Sequence, residues 1–259
     1  MIDLLPEMTA VDISRWALFL DIDGTLIDIA PTPESVHVPR DLPASLDAWR
    51  SLLRGAVALI SGRSLEQVDR LFHPHRFDAS GTHGREWRYG SVTLLAGVGR
   101  CAEIDAVATF AENQLRAYPG VMLERKPNSL AVHYRAVPAL KEAAEAVVDA
   151  MLQRLGPGFG RLAGKKVVEI IANGPDKGAA IERFMSFSVY RGRCPVYAGD
   201  DVTDESGFAA VNRLGGLSIH VGNTPTTEAK HTLPSPQAFR EWLTAARRAW
   251  PTPADRQPS

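Results

Sequence analysis

The sequence predicts an α/β fold, a parallel sheet with helices on both faces, interrupted by an inserted α+β unit. Three observations point there. Strand-like and helix-like segments alternate near both ends of the chain, the signature of a parallel sheet. The middle carries adjacent hairpins and segregated helices instead. Two apolar strands also stop abruptly at acids: Ala17-Leu18-Phe19-Leu20 at Asp21-Ile22-Asp23-Gly24-Thr25, and Val196-Tyr197-Ala198 at Gly199-Asp200-Asp201.

Taken in order, residues 17–20 form a continuous apolar run, as parallel strands covered on both faces do. Residues 56–60 form a second, followed by Ser61-Gly62-Arg63-Ser64. Leu65, Val68, Leu71 and Phe72 then recur at helical spacing, and Ser64 with Gln67 makes a capping-box pattern. Residues 87–95 read as a hairpin turning at Gly90-Ser91, and 102–118 as a helix. Strands at 121–125 and 130–135 are joined by Lys126-Pro127-Asn128-Ser129, a strong turn signal. An alanine-rich helix at 138–155 leads to a last hairpin, 159–161 with 165–171, through Ala163-Gly164.

The α/β rhythm then resumes. Asp176 caps a helix carrying Ala180, Ile181 and Phe184; a strand at 196–198, a helix at 203–211 and a strand at 217–221 follow. The borders of the insertion are placed near Gly84 and Gly174. Residues 1–84 and 174–259 make the core, and 85–173 the inserted domain. The proline-rich stretch 251–259 reads as a disordered tail.

With 259 residues and 45% hydrophobic content, the chain has enough material for a substantial core. A net charge of -1 with no dense basic cluster argues against nucleic acid or an anionic membrane as the main partner. Cys101 and Cys194 offer neither a disulfide framework nor metal-ligand spacing. The acidic start of the chain does not resemble a targeting segment, and no run approaches the ~20 apolar residues of a membrane span. A cytoplasmic, monomeric protein with a small-molecule partner is the expectation.

Ligands of open α/β sheets sit beyond the carboxyl ends of the strands. Asp21 and Asp23 follow the first strand and Ser61 the second. Lys177 opens a helix, and Asp200, Asp201 and Asp204 follow a late strand. If these strands are neighbours, the groups converge. Like charges that close repel unless a cation or a shared proton offsets them. Hard carboxylates without histidine or thiol suit Mg²⁺. Asp21 can then attack a phosphorus atom, Asp23 can move a proton, and Lys177 and Ser61 can offset the charge on the transferring group. Each residue alone also fits a plainer role: Asp23-Gly24 a turn, Ser61 a helix cap, Lys177 a solvated lysine, the late acids a helix N-terminus. All the plainer roles would have to hold together, in chain order, after successive strands.

The set Asp21-Ile22-Asp23-Gly24-Thr25, Ser61-Gly62-Arg63, Lys177-Gly178 and Gly199-Asp200-Asp201-Val202-Thr203-Asp204 resembles the four motifs of the haloacid dehalogenase superfamily of Mg²⁺-dependent phosphatases. The resemblance implies a Rossmann-like core, with Asp21 as nucleophile and Asp23 as general acid and base. Ser61 and Lys177 would hold phosphate. Mg²⁺ would be bound by Asp21, the backbone carbonyl of Asp23, and Asp200. Asp201 and Asp204 would support those ligands without touching the ion. The insertion looks like the α/β cap of sugar phosphatases.

Further segments are similar to the trehalose-6-phosphate phosphatase family: Gly81-Thr82-His83-Gly84-Arg85-Glu86, Glu124-Arg125-Lys126, Leu130 to Arg135, Glu169-Ile170 and Asn173-Gly174. One departure stands out, Ile171-Ala172 where the family usually carries a basic residue and proline.

Alternation along the inserted strands puts Glu124 and Lys126 on one face, His133 and Arg135 on one face of the next strand, and Lys165 with Glu169 on the last. Leu130, Val132, Tyr134, Val168 and Ile170 fall opposite. A charged face offers donors and acceptors to sugar hydroxyls, and it fits an exposed sheet with surface ion pairs as well. With the resemblance, it should look down on the catalytic crevice, together with Gly62, Arg63 and His83, and take the sugar. Hydrolysis of trehalose 6-phosphate is the leading expectation. Another sugar phosphate, such as a sucrose or hexose phosphate, and a non-catalytic sugar-phosphate sensor are the alternatives. Hinges are expected near Gly84 and Asn173-Gly174.

Overall fold

A computed structural model of the chain describes residues 12–32, 35–95, 102–126, 129–172, 174–224 and 226–249. Strand β1 (Trp16–Leu20) is buried at every position, as its unbroken apolar sequence requires. It lies between β2 (Val57–Ile60) and β10 (Cys194–Gly199), parallel to both. β3 (Asp78–Gly81), β11 (Leu217–Val221) and β12 (His231–Leu233) extend the parallel ladder. Helices α1 (Leu42–Leu52), α2 (Leu65–Phe72), α5 (Lys177–Ser186), α6 (Glu205–Arg213) and α7 (Pro236–Ala249) accompany this sheet. The main core includes a three-indole stack, with Trp16 between Trp49 at 6.0 Å and Trp242 at 6.1 Å.

The hairpin of β4 (Glu86–Tyr89) and β5 (Val92–Leu95) corrects the expected border near Gly84. β4 adds antiparallel to β3 and β5 antiparallel to β4, giving an eight-stranded sheet ordered β12-β11-β10-β1-β2-β3-β4-β5. A hairpin pattern encodes local pairing and not the sheet whose edge it joins, so the first crossover falls after β5. Arg88 anchors the hairpin, its buried guanidinium donating to the Phe77 carbonyl and to both oxygens of Asp69.

The second sheet is antiparallel and ordered β6-β7-β9-β8, comprising β6 (Met122–Lys126), β7 (Ser129–His133), β8 (Phe159–Gly164) and β9 (Val167–Ala172). Helices α3 (Ala102–Leu115) and α4 (Lys141–Leu155) cover one face. Leu130, Val132, Val168 and Ile170 pack there with Val107, Val148 and Met151 into a separate hydrophobic core, as alternation predicted. Lys165 and Arg135 depart from that expectation. Lys165 lies in the turn between β8 and β9, not on a strand, and Arg135 lies past the end of β7.

Ser64 makes the expected capping box with Gln67, and Asp176 caps α5 by accepting from Ala179 N. Among the described residues no helix is long and apolar enough to cross a membrane. The expected tail at 251–259, Cys101, the turn residues Pro127 and Asn128, and Asn173 of the second hinge lie outside the described residues.

Candidate active site

Parallel register brings the strand ends together. Leu20 pairs with Ala198 on one side and Leu59 on the other, so Asp21, Ser61 and Asp200 emerge at the same carboxyl edge of the sheet. Lys177 begins α5 and is almost fully buried. Its ammonium donates to Asp21 Oδ1 at 2.8 Å and to Asp204 Oδ1 at 2.5 Å. Residues 156 positions apart thus share a contact. Asp204 also accepts from the Tyr197 hydroxyl and, through Oδ2, from the N–H groups of Asp200 and Asp201 at 3.0 Å each. Its oxygens are occupied in holding the loop after β10. Asp201 caps that loop by accepting from Val202 N at 2.8 Å.

Asp23 is gripped by a guanidinium fork. Arg63 Nε donates to Oδ2 and Nη2 to Oδ1, both at 2.6 Å. Two parallel bonds fix the plane of the carboxylate as well as its position. Ser61 Oγ, also buried, accepts from Arg63 N at 3.1 Å. Two glycines permit the crowding. Gly24 lies at φ +85, and a Cβ there would fall 2.1 Å from Asp200 Oδ2. At Gly62 a Cβ would fall 2.7 Å from the His83 imidazole. Thr82 and His83 both adopt the left-handed region, at φ 47 and 54, a costly conformation that directs His83 at the cleft.

The floor is short of positive charge. Burial pushes Asp21 well above the ordinary carboxylate range; Lys177 opposes the shift, while Asp204 and Asp200 add to it. Burial and Asp204 push Asp200 up to about 7, with Lys165 opposing. Asp204 goes the other way. Burial would raise it, but Lys177 and its hydrogen-bond donors outweigh that and hold it low. Burial likewise opposes the charge on Lys177, yet Asp204 and Asp21 hold it above the usual lysine range. Ligand oxygens of Asp21, Asp200 and Asp204 lie within 4.8 Å of one another. An all-carboxylate group with two acids forced upward fits a hard divalent cation, and Asp204, already saturated with donors, is the member least free to bind it.

The cap sheet roofs the same cleft. One open cleft is lined by Asp21, Asp23, Ser61, Gly62, Arg63, His83, Lys177, Asp200, Asp201 and Asp204, and by Glu124, Lys126, His133, Arg135, Lys165 and Glu169. Every site residue read from the sequence reaches it. Register places Glu124, Ala131 and Glu169 in one row across three strands. Buried Glu169 accepts from Lys126 Nζ at 3.0 Å and pairs with His83 Nε2 at 3.1 Å. Glu124 pairs with His133 Nε2 at 2.9 Å. Lys126 also reaches the Gly62 carbonyl at 3.4 Å, and Arg135 donates to the Ala30 carbonyl. Ile171 occupies the position after next to Glu169, opposite Ser129, so the departure from the family pattern falls on this face.

Two participants escaped sequence reasoning. Ser129 Oγ donates to Glu169 Oε1 at 2.5 Å. Gln67 accepts from Ser64 N and donates its own N–H to Glu124 Oε1 at 3.2 Å, tying a core helix to the cap. The capping box was the only signal for Gln67, and Ser129 had none beyond its turn.

A parallel sheet with an acid at the tip of β1, a buried lysine at the start of α5 and acids after β10 defines the phosphatase class of the haloacid dehalogenase fold. Comparison with known proteins narrows this. The family described as trehalose-phosphatase matches residues 19–237, most of the chain. A probable trehalose-phosphate phosphatase of Sinorhizobium fredii (strain NBRC 101917 / NGR234) is 42% identical over 91% of this chain and 89% of its own. The trehalose-6-phosphate phosphatase of Escherichia coli (strain K12) is 40% identical over 92% of this chain and 87% of its own. In three dimensions the C-terminal domain of a C. albicans trehalose-6-phosphate phosphatase superposes with a TM-score of 0.79 at 21% identity, covering 91% of this chain and 92% of that one. The chain belongs to the trehalose-phosphatase family and is a phosphatase.

Proposed function

We propose that the protein hydrolyses trehalose 6-phosphate to trehalose and phosphate, with Mg²⁺, through a phosphorylated Asp21. The observation that carries this reading is the single cleft whose floor holds Asp21, Ser61, Lys177 and Asp200 and whose roof is the charged face of the cap sheet. Family membership and the relatives' activity support the substrate.

Asp21, the Asp23 carbonyl and Asp200 would hold the divalent cation, which when bound neutralises phosphate and carboxylate charge. Asp21 attacks phosphorus, and the bond from phosphorus to the sugar oxygen breaks. The leaving alkoxide takes a proton from Asp23, acting as the carboxylic acid and left as the carboxylate, with the Arg63 fork fixing the group in the cleft. A water, giving its proton back to Asp23, then cleaves the aspartyl-phosphate and releases phosphate. Lys177 and Ser61 bind the phosphoryl oxygens throughout. Above them Glu124, Lys126, His133 and Glu169 offer acceptors and donors to sugar hydroxyls. Closure of the cap on the core excludes water from the phosphorylated aspartate. The residues 96–172 serve as the specificity domain and the rest as the catalytic core.

A panel of sugar phosphates assayed with Mg²⁺, and again with a chelator, tests the proposal. Trehalose 6-phosphate should be turned over at least about a hundredfold more efficiently than glucose 6-phosphate, because only the disaccharide offers a second ring for the oriented polar groups of the roof to hold in place over the phosphate. Equal efficiencies, or full activity in chelator, would count against it.

A further inference from the structure

Lys165 and Lys166 join Gly164, the last residue of β8, to β9, and this turn lies across the loop after β10. It touches that loop at two points. The backbone N–H of Lys165 donates to Asp201 Oδ2 at 3.2 Å, and its ammonium donates to Asp200 Oδ2 at 2.6 Å. Gly164 abuts the same Asp201 carboxylate so closely that a Cβ would stand 2.9 Å from Oδ2. The cap turn is therefore seated directly on the acid assigned to the cation, with no intervening side chain.

The two partners differ in freedom. The Asp200 side chain is 3% exposed and wedged against Gly24, whereas that of Lys165 is 43% exposed. Asp200 cannot turn to solvent for its hydration. Lys165 can withdraw into water with little loss. The ammonium also supplies only one positive charge where Asp21, Asp200 and Asp204 crowd together, so a divalent ion answers the same need better.

We infer that Lys165 holds Asp200 in the cation-free enzyme and competes with the divalent cation for that carboxylate, so that the cap turn sets how tightly the metal binds. The inference rests on the metal-dependent reading given above. It couples the cap to the metal: loading the cation releases Lys165 from the floor, leaving an ammonium free within the cleft that receives the phosphate.

Mg²⁺ titrations by calorimetry on the full chain test it without reference to turnover. Lys165→Gln should bind Mg²⁺ about fivefold tighter than the unaltered chain, the scale of a half-exposed ion pair. Lys166→Gln removes the same charge one residue on, from an exposed side chain, and should leave the affinity where it was. An unchanged or weaker affinity in Lys165→Gln overturns the inference. So does an equal gain in Lys166→Gln, which would reduce the effect to the general field of the turn. Asp200→Asn separates the two levels of the argument. If the unaltered chain binds no Mg²⁺, or if Asp200→Asn binds it as well as the unaltered chain does, the metal site itself is wrong and the competition falls with it.

Discussion

On the floor of the cleft, Asp21 and Asp204 share the buried Lys177 ammonium and Asp200 meets only the half-exposed Lys165; on its roof, Glu124 and Glu169 each have buried or half-buried cationic and donor partners. Both regions bury charge, yet the outcome is opposite. The floor acids Asp21 and Asp200 are driven up by burial and by their neighbours. For Glu124 and Glu169 burial acts upward too, but His133 and Lys126, with His83 at Glu169, outweigh it and hold both carboxyls low. A surplus of like charge calls for an incoming cation and for chemistry on an anion. A balanced set asks for nothing charged, and its oriented donors and acceptors suit the neutral polyol of the proposed substrate. The contrast supports the proposed division between a catalytic floor and a recognition roof.

Asp21→Asn gives the largest effect on this contrast. Turnover should fall by more than about 10⁴-fold, because the amide cannot attack phosphorus. The fold should survive, since Lys177 keeps Asp204, and thermal unfolding checks that. Lys177→Met tests the other half of the pairing. Two buried carboxylates lose their shared cation, which should cost about 3–5 kcal/mol of stability along with activity, measured by denaturant unfolding. Asp23→Asn should slow turnover by about 10²–10⁴-fold and leave the Mg²⁺ affinity in place, because its carbonyl remains. A variant that lost metal but kept full turnover at saturating Mg²⁺ would reverse the assigned roles.

Glu169→Gln gives the smallest catalytic change and sharpens the roof. KM for the sugar phosphate should rise about tenfold with kcat much less affected. Its stability signature has a definite sign. The folded carboxyl lies well below its unfolded value of about 4.3, so its contribution is complete above that pH and fades as pH falls toward the folded value. The variant should therefore show a shallower loss of stability on acidification below about pH 4. Identical acid limbs would remove Glu169 from the balanced set.

How much of this was legible in the chain depends on the range of the interaction. Asp21 and Asp200 announce themselves because acids at the tips of apolar strands have no local purpose. The two faces of the cap sheet followed from alternation, and Leu130, Val132, Val168 and Ile170 lie in the core where period two puts them. The β4–β5 hairpin was recognisable as a hairpin, but its docking on β3 is a tertiary choice that no local pattern encodes. Lys165 continued a plausible alternation and so read as strand, although the chain turns there. The Arg63 fork on Asp23, the bond from Gln67 to Glu124 and that from Ser129 to Glu169 span 40, 57 and 40 residues. The first joins two loops of the core, the second a core helix to the cap, and the third two neighbouring cap strands; all depend on which elements become neighbours, which spacing cannot show.

The indole stack on Trp16 has a practical consequence. Residues 96–172, the cap and the link to it, contain no tryptophan at all, while Trp16, Trp49, Trp87 and Trp242 belong to the larger unit and the fifth, Trp250, follows its last helix in sequence, outside the described residues. Emission excited at the red edge thus follows the larger unit, chiefly its indole stack, and carries no reporter inside the cap core. A melting step visible in peptide ellipticity but silent in that emission belongs to the cap, so the two halves of the enzyme can be timed separately without any label.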